Sequence, residues 1–239
     1  MFGAGRSISA KLCTEIIMQI EIKNVSKSYG KKNVLKDISF SAEGGNCIGI
    51  LGANGCGKST FLSILAGVLE RDGGQFLFNG QDLFADRKKR SSLVGYVPQG
   101  TPLIEELTAW DNLLLWYDRD NLQKELGNGV LKMLGVDKFL KTTVRKMSGG
   151  MKKRLSIGCA MAKQPPILLL DEPTAALDLA CKQNIADYLM RYKKAGGLLL
   201  LTTHDSLELS LCDQFYIMKN GVLHAYDYQG NLNDLVDSL

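Results

Sequence analysis

Ile48-Gly-Ile-Leu51, running straight into Gly52-Ala-Asn-Gly-Cys-Gly-Lys58-Ser59-Thr60 and then Phe61 to Ala66, decides the fold. The apolar run reads as a buried strand, the glycine-rich run as a loop, and Phe61 to Ala66 as a helix. Together they fit G-x-x-x-x-G-K-[ST] in the strand–loop–helix setting that gives the pattern meaning. Glycines let the backbone turn so that successive N–H groups face phosphate oxygens. The positive end of the following helix faces the same anion. Lys58 supplies a charge for the β- and γ-phosphates, and the Ser59 hydroxyl suits Mg²⁺. Gly52, Asn54, Gly55, Cys56, Gly57 and Thr60 complete the expected cradle for the nucleotide. The plainer alternative, a glycine-rich turn before a helix with no ligand, is disfavoured by that setting. Cys56 lies beside a helix N-terminus and a lysine, which predicts alkylation that bound nucleotide prevents; the plainer reading is an inert small residue.

Outward from this loop, Ile167 to Leu170 and Leu198 to Thr202 are further short apolar strands, with helical patterns between them. That alternation is the mark of a buried parallel sheet in an α/β domain. Asn79-Gly80 and Asn220-Gly221 each stand between apolar-rich runs, and Asn-Gly is the strongest short hairpin signal. Antiparallel structure is therefore expected near both ends. From about Leu107 to Lys163 the periodicity is helical, with Trp110, Leu113, Leu114 and Tyr117 on one face and Val130, Met133 and Leu134 on another. This block, placed at about 100–163, reads as a helical lobe inserted into the α/β core.

The run Ile167 to Leu170 ends in Asp171-Glu172-Pro173. Acids at the end of a buried strand lie at the edge where α/β sheets bind ligands. With a phosphate loop upstream, Asp171 is the expected Mg²⁺ holder and Glu172 the general base that polarises the attacking water. A merely solvated turn is the plainer reading.

Met147-Ser148-Gly149-Gly150-Met151-Lys152-Lys153-Arg154 opens a helical run about 20 residues before the carboxylate strand. It resembles the signature of ABC-type ATPases, LSGGQ-x-x-R, and the chain is similar to that family from about Met18 to Tyr226. The resemblance implies a P-loop NTPase core with a mostly parallel sheet, an antiparallel β subdomain and the helical lobe. It implies that Tyr29 stacks on adenine, that Gln99 senses Mg²⁺ and the γ-phosphate, and that His204 contacts the γ-phosphate. It implies that Ala176-Leu177-Asp178 crosses a dimer interface, and that Ser148, Gly149 and Gly150 bind the nucleotide of a partner subunit. Singly these residues have bland readings: a packing tyrosine, a loop glutamine, a capping histidine. Their order carries the weight. Two positions depart from the pattern. Met147 replaces leucine at similar volume, and Met151 replaces a glutamine and removes its amide.

The resemblance further implies an ATPase that forms a homodimer or heterodimer around two ATP molecules and drives a separate multi-span membrane subunit. Its place is then cytoplasmic, peripheral on the inner face of the membrane. Gly100 to Thr108 is the expected contact segment for that subunit. The short stretch after the second hairpin favours export. A non-transport ABC ATPase serving a membrane-associated regulatory or assembly complex is the rival reading.

Bulk numbers agree. The chain of 239 residues, 45% apolar and 23% charged, suits one large domain. Its net charge of +4 is spread along the chain, which argues against a nucleic-acid groove. Six cysteines without a C-x-x-C pair read as reduced thiols. The two four-residue apolar strands fall far short of the roughly 20 residues a membrane helix needs. Met18 begins a strand-like alternation, Met18-Gln-Ile-Glu-Ile-Lys-Asn-Val25, and one reading makes it the natural start, with residues 1–17 an upstream extension before a domain of 18–239.

Overall fold

The computed structural model describes residues 18–230 apart from Ala176, so the expected extension at 1–17 and the whole of Ala176 lie outside the described residues. Two sheets form the frame. The first is antiparallel, in the order β2 (Lys32–Glu43), β1 (Gln19–Tyr29), β4 (Gly73–Phe78) and β5 (Gln81–Asp82). The second runs β10 (Val222–Tyr226), β9 (Gln214–Lys219), β3 (Cys47–Leu51), β8 (Leu198–Thr202), β7 (Ile167–Asp171) and β6 (Val94–Val97). All its pairings are parallel except that of β10 with β9.

Strands β3, β7 and β8 are buried at every residue. Their apolar runs, Ile167 to Leu170 and Leu198 to Leu201 among them, follow from the two-residue side-chain period, because both faces are covered. Leu168 and Leu170 of β7, with Leu199 and Leu201 of β8, face a core shared with Leu113, Leu131, Ile157 and Leu189. Ile167 and Leu169, with Leu198 and Leu200, face the opposite core, built with Phe61, Leu65, Ile20, Ile38 and Phe76. Helix α1 (Lys58–Ala66) and the antiparallel sheet therefore cover one face of the parallel sheet. The helices of the segment between β6 and β7, together with α7 (Leu179–Lys194), cover the other.

Both Asn-Gly pairs sit at hairpin turns in the left-handed region, with φ of 47° and 79° at Asn79-Gly80 and 53° and 80° at Asn220-Gly221. A Cβ at Gly221 would come within 2.6 Å of the Val34 carbonyl, so only glycine fits where this turn meets β2.

Between α2 (Arg87–Leu93) and β7, the expected helical lobe is made of short pieces. These are α3 (Ala109–Leu114), α4 (Arg119–Gly127), α5 (Val130–Met133) and α6 (Gly149–Ala160), with 3₁₀ turns at Val136–Phe139 and Val144–Lys146. Capping explains the breaks. Thr108 and Asp111 form a capping box on α3, and Asp118 caps α4 by accepting from the Asn121 amide. The expected stripe of Val130, Met133 and Leu134 needs correction. Met133 is exposed, and Leu131 with Leu134 makes the buried contact, because α5 is one turn long and too short to show a helical face.

Candidate functional site

The loop after β3 reaches α1 through three glycines with positive φ: Gly52 at 150°, Gly55 at 78° and Gly57 at 119°. Gly57 is the N-cap residue of α1. A Cβ at Gly52 would lie 2.5 Å from the Met218 carbonyl oxygen, so the loop packs against β9 only because that atom is missing. Lys58 opens α1 and is buried, and its ammonium donates to the carbonyls of Gly52 and, at 3.2 Å, Ala53. The charge is thus held inside the curl of the loop.

A cavity of about 430 Å³ lies over this loop and is lined by Tyr29, Asn54, Gly55, Gly57, Lys58, Ser59, Thr60, Gln99 and Glu172. Its size suits a small organic ligand. Cys56 belongs to the same loop, but its side chain lines a neighbouring hollow with Met218 and Asn220, and its sulfur lies beside Gly52. Cys56 does not line the 430 Å³ cavity.

Asp171 and Glu172 part company at the end of β7. Asp171 is buried and opposite Thr202 in the parallel register, and it accepts from the Thr202 hydroxyl at 2.6 Å. Glu172 follows with φ of 48°, a left-handed conformation that costs a non-glycine residue about 1 kcal/mol or more. Its amide donates to the Thr202 carbonyl and hydroxyl, both at 3.1 Å, which holds the turn. The twist brings the Glu172 carboxylate into the cavity, where it accepts from the Gln99 amide at 3.0 Å. Replacing Thr202 with valine keeps the shape and removes the hydroxyl. The expected cost is about 1–3 kcal/mol of unfolding free energy, read as a lower denaturation midpoint in urea.

His204 lines an adjoining hollow with Glu172, Thr203, Asp205 and Glu208. Partial burial and the Lys58 ammonium hold its imidazole below the ordinary range, with Glu172 pulling the other way. Ser148 caps α6, accepting from the Met151 amide at 3.3 Å. Gly149 and Gly150 lie against Leu177 and Cys181, so the first turn of α6 packs on the segment that follows Glu172. Asp178 caps α7, accepting from the Cys181 amide at 2.8 Å. Neither the Ser148–Gly150 turn nor Asp178 lines the 430 Å³ cavity. The Met151 side chain packs on the core.

The oxygen donors available, the Ser59 hydroxyl, the Asp171 carboxylate and the Gln99 amide, are hard ligands of the kind Mg²⁺ takes. Among the described residues there is no cluster of three or more His, Cys, Asp or Glu side chains fit to hold a metal alone. That donor set fits a Mg²⁺ that arrives with phosphates and keeps several waters, as Mg²⁺ does.

Three polar residues that sequence reasoning missed are buried around the site: Thr202, Lys153 and Glu208. Glu208 accepts from the Thr174 amide at 2.7 Å, and burial raises its carboxyl above the ordinary range. Lys153 and Ile157 share a face of α6, so a lysine at an apolar-periodic position was the available signal.

A family model described as ABC transporter matches residues 35–175. The linearmycin resistance ATP-binding protein LnrL of Bacillus subtilis (strain 168) is 33% identical over 225 residues, 92% of this chain and 71% of that protein. The Nod factor export ATP-binding protein I of Sinorhizobium fredii is 37% identical over 84% of this chain and 60% of its own length. A sulfate/thiosulfate import ATP-binding protein, CysA of Neisseria meningitidis serogroup A, is 32% identical over 85% of this chain and 60% of its own length. The chain thus spans 60% to 71% of the length of these relatives. Among solved structures, a dimeric post-hydrolysis ATP-binding cassette bound to ADP and phosphate superposes with a TM-score of 0.77 at 28% identity, covering 89% of this chain and 100% of that one. The phosphate loop, the carboxylate strand and these matches lead to one conclusion: the chain belongs to the ABC transporter ATP-binding family and is an ATP-binding, ATP-hydrolysing subunit.

Proposed function

We propose that two such cassettes, this chain with itself or with a close relative, close head to tail around two ATP molecules. Each nucleotide then lies between the Lys58 loop of one subunit and the Ser148–Gly150 turn of the other. The observation that carries this is the cavity that gathers Tyr29, the phosphate loop, Gln99 and Glu172 around one volume. Tyr29, about half exposed at its mouth, offers a face for adenine. Lys58 and the loop amides bind the phosphates, and Glu172 orients water toward the γ-phosphate and takes its proton. Gln99 fixes the Glu172 carboxylate, and His204 faces the γ-phosphate from the adjoining hollow. Mg²⁺, held by Ser59 and Asp171 and contacted by Gln99, would offset charge on the phosphate oxygens. Asp178 stands at the subunit interface beside the Ser148–Gly150 turn. The dimeric state of the ADP- and phosphate-bound relative supports the pairing.

Coupling is proposed to a separate multi-span membrane subunit, with this chain peripheral on the cytoplasmic face. Among the described residues no helix is long and apolar enough to cross a membrane. Within the Gly100–Thr108 segment, Pro102 and Leu103 line an apolar groove of about 290 Å³ with Tyr96, Trp116 and Pro165, and Trp116 and Ile104 are exposed. Such a groove next to Gln99 suits a short helical segment of the membrane subunit. Outward transport is the direction proposed, supported by the export role in the name of the Nod factor relative. The sulfate relative carries the opposite direction, so a vesicle transport assay decides. Purification of tagged Glu172→Gln protein from detergent-solubilised membranes with MgATP is expected to bring down a polytopic partner. Recovery of only soluble or single-span partners would replace transport with a regulatory role and leave the ATPase unchanged.

A further inference from the structure

Lys153 lies one turn into α6 and is 5% exposed. Its ammonium donates to two backbone carbonyls, those of Pro98 and Gln99, each at 3.0 Å. Among the described residues no carboxylate forms an ion pair with it. Burying an ammonium without a paired anion is costly, and an apolar side chain of similar length would avoid that cost. Burial lowers the pKa of the ammonium, while Asp171, Glu208 and Glu172 act in the opposite sense at longer range. A group kept at such a cost, on a helix already packed through Leu155 and Ile157, is not needed for packing.

What the two hydrogen bonds join is specific. One side is α6, whose first turn is the Ser148–Gly150 segment and whose hydrogen-bonded backbone moves as one body. The other is the peptide at Gln99, whose side chain donates to Glu172. We infer that Lys153 is a positioning residue for ATP hydrolysis, tying the signature helix to the Gln99 backbone so that the place of that helix sets the Gln99–Glu172 contact. This rests on the reading of Glu172 as the base. A ligand held at the Ser148–Gly150 turn then acts on the same chain's own Glu172 through one rigid helix and two hydrogen bonds. Lys153 does not line the 430 Å³ cavity; it acts through Gln99.

The test compares Lys153→Met and Lys153→Gln with the wild-type chain, with Glu172→Gln run in parallel. Methionine matches the stem and removes the donors, whereas glutamine keeps an amide donor for the carbonyls. For Lys153→Met the expected result is a fall in kcat of about tenfold, from misplacement of groups away from the chemistry. Its KM for ATP should stay within about twofold and its Tm should change little, since the cost of an unpaired buried charge is removed while the two carbonyls released belong to the partly exposed Pro98 and Gln99. Lys153→Gln should recover most of kcat. Wild-type kcat in Lys153→Met, or a loss of kcat that tracks a loss of Tm and is not recovered by glutamine, overturns the inference. Should Glu172→Gln hydrolyse ATP at the wild-type rate, the reading of the site itself fails, whatever the Lys153 variants do.

Discussion

Glu172→Gln protein is expected to lose about 10²- to 10⁴-fold in steady-state phosphate release while binding MgATP within a few-fold of wild type. Glutamine is nearly isosteric, and its carbonyl can still accept from the Gln99 amide that now donates to the carboxylate at 3.0 Å. The left-handed turn at Glu172, held by the Thr202 carbonyl and hydroxyl, does not depend on the side chain. What is lost is the ability to take a proton from water, so the change falls on turnover and spares affinity. Phosphate release and an equilibrium nucleotide titration on the same preparation check it. Turnover above about a tenth of wild type would remove Glu172 from the role of base.

Lys58→Ala is expected to act on binding instead. Lys58 is 6% exposed and its ammonium is held by loop carbonyls, so it is already placed for an anion in the cavity. A charge-assisted hydrogen bond of this kind contributes about 1.5–3 kcal/mol, or roughly a 10- to 150-fold weaker Kd when removed. ATP and ADP should lose affinity in that range, and adenosine, which lacks phosphates, should not. Calorimetric titration of the three ligands distinguishes a phosphate contact from general damage to the loop, which would weaken all three.

The phosphate loop and the apolar strands around it were readable from spacing. The strand before the loop, the three glycines and Lys58 form a pattern set by local geometry, and Ile167 to Leu170 and Leu198 to Leu201 are apolar throughout because the sheet is covered on both faces. The hairpins at Asn79 and Asn220 were legible because positive φ at successive residues demands particular residue types. Other parts depend on contacts distant in sequence. Strand β6 is four residues with a glycine in the middle, and only its pairing with β7 makes it a strand. In β1 and β2, register shifts after Ile22, Val25 and Lys27 blur the alternation of a long antiparallel pair. The bounds of the short helices in the lobe were not legible because the capping residues Thr108 and Asp118 sit inside a stretch of helical apolar spacing. Thr202, Lys153 and Glu208 are polar groups whose burial is produced by tertiary packing, and their roles lie in partners 31, 55 and 34 residues away. The direction of the Cys56 side chain likewise follows from the contact of the loop with Met218, which no local pattern encodes.

The central claim, a nucleotide shared between the Lys58 loop of one subunit and the Ser148–Gly150 turn of another, is tested most directly by sedimentation velocity of Glu172→Gln protein with MgATP and with MgADP. The account predicts a dimer with MgATP and a monomer with MgADP alone, because MgADP without phosphate lacks the γ group that reaches the partner's turn. A protein that binds MgATP yet sediments as a monomer in both would contradict it.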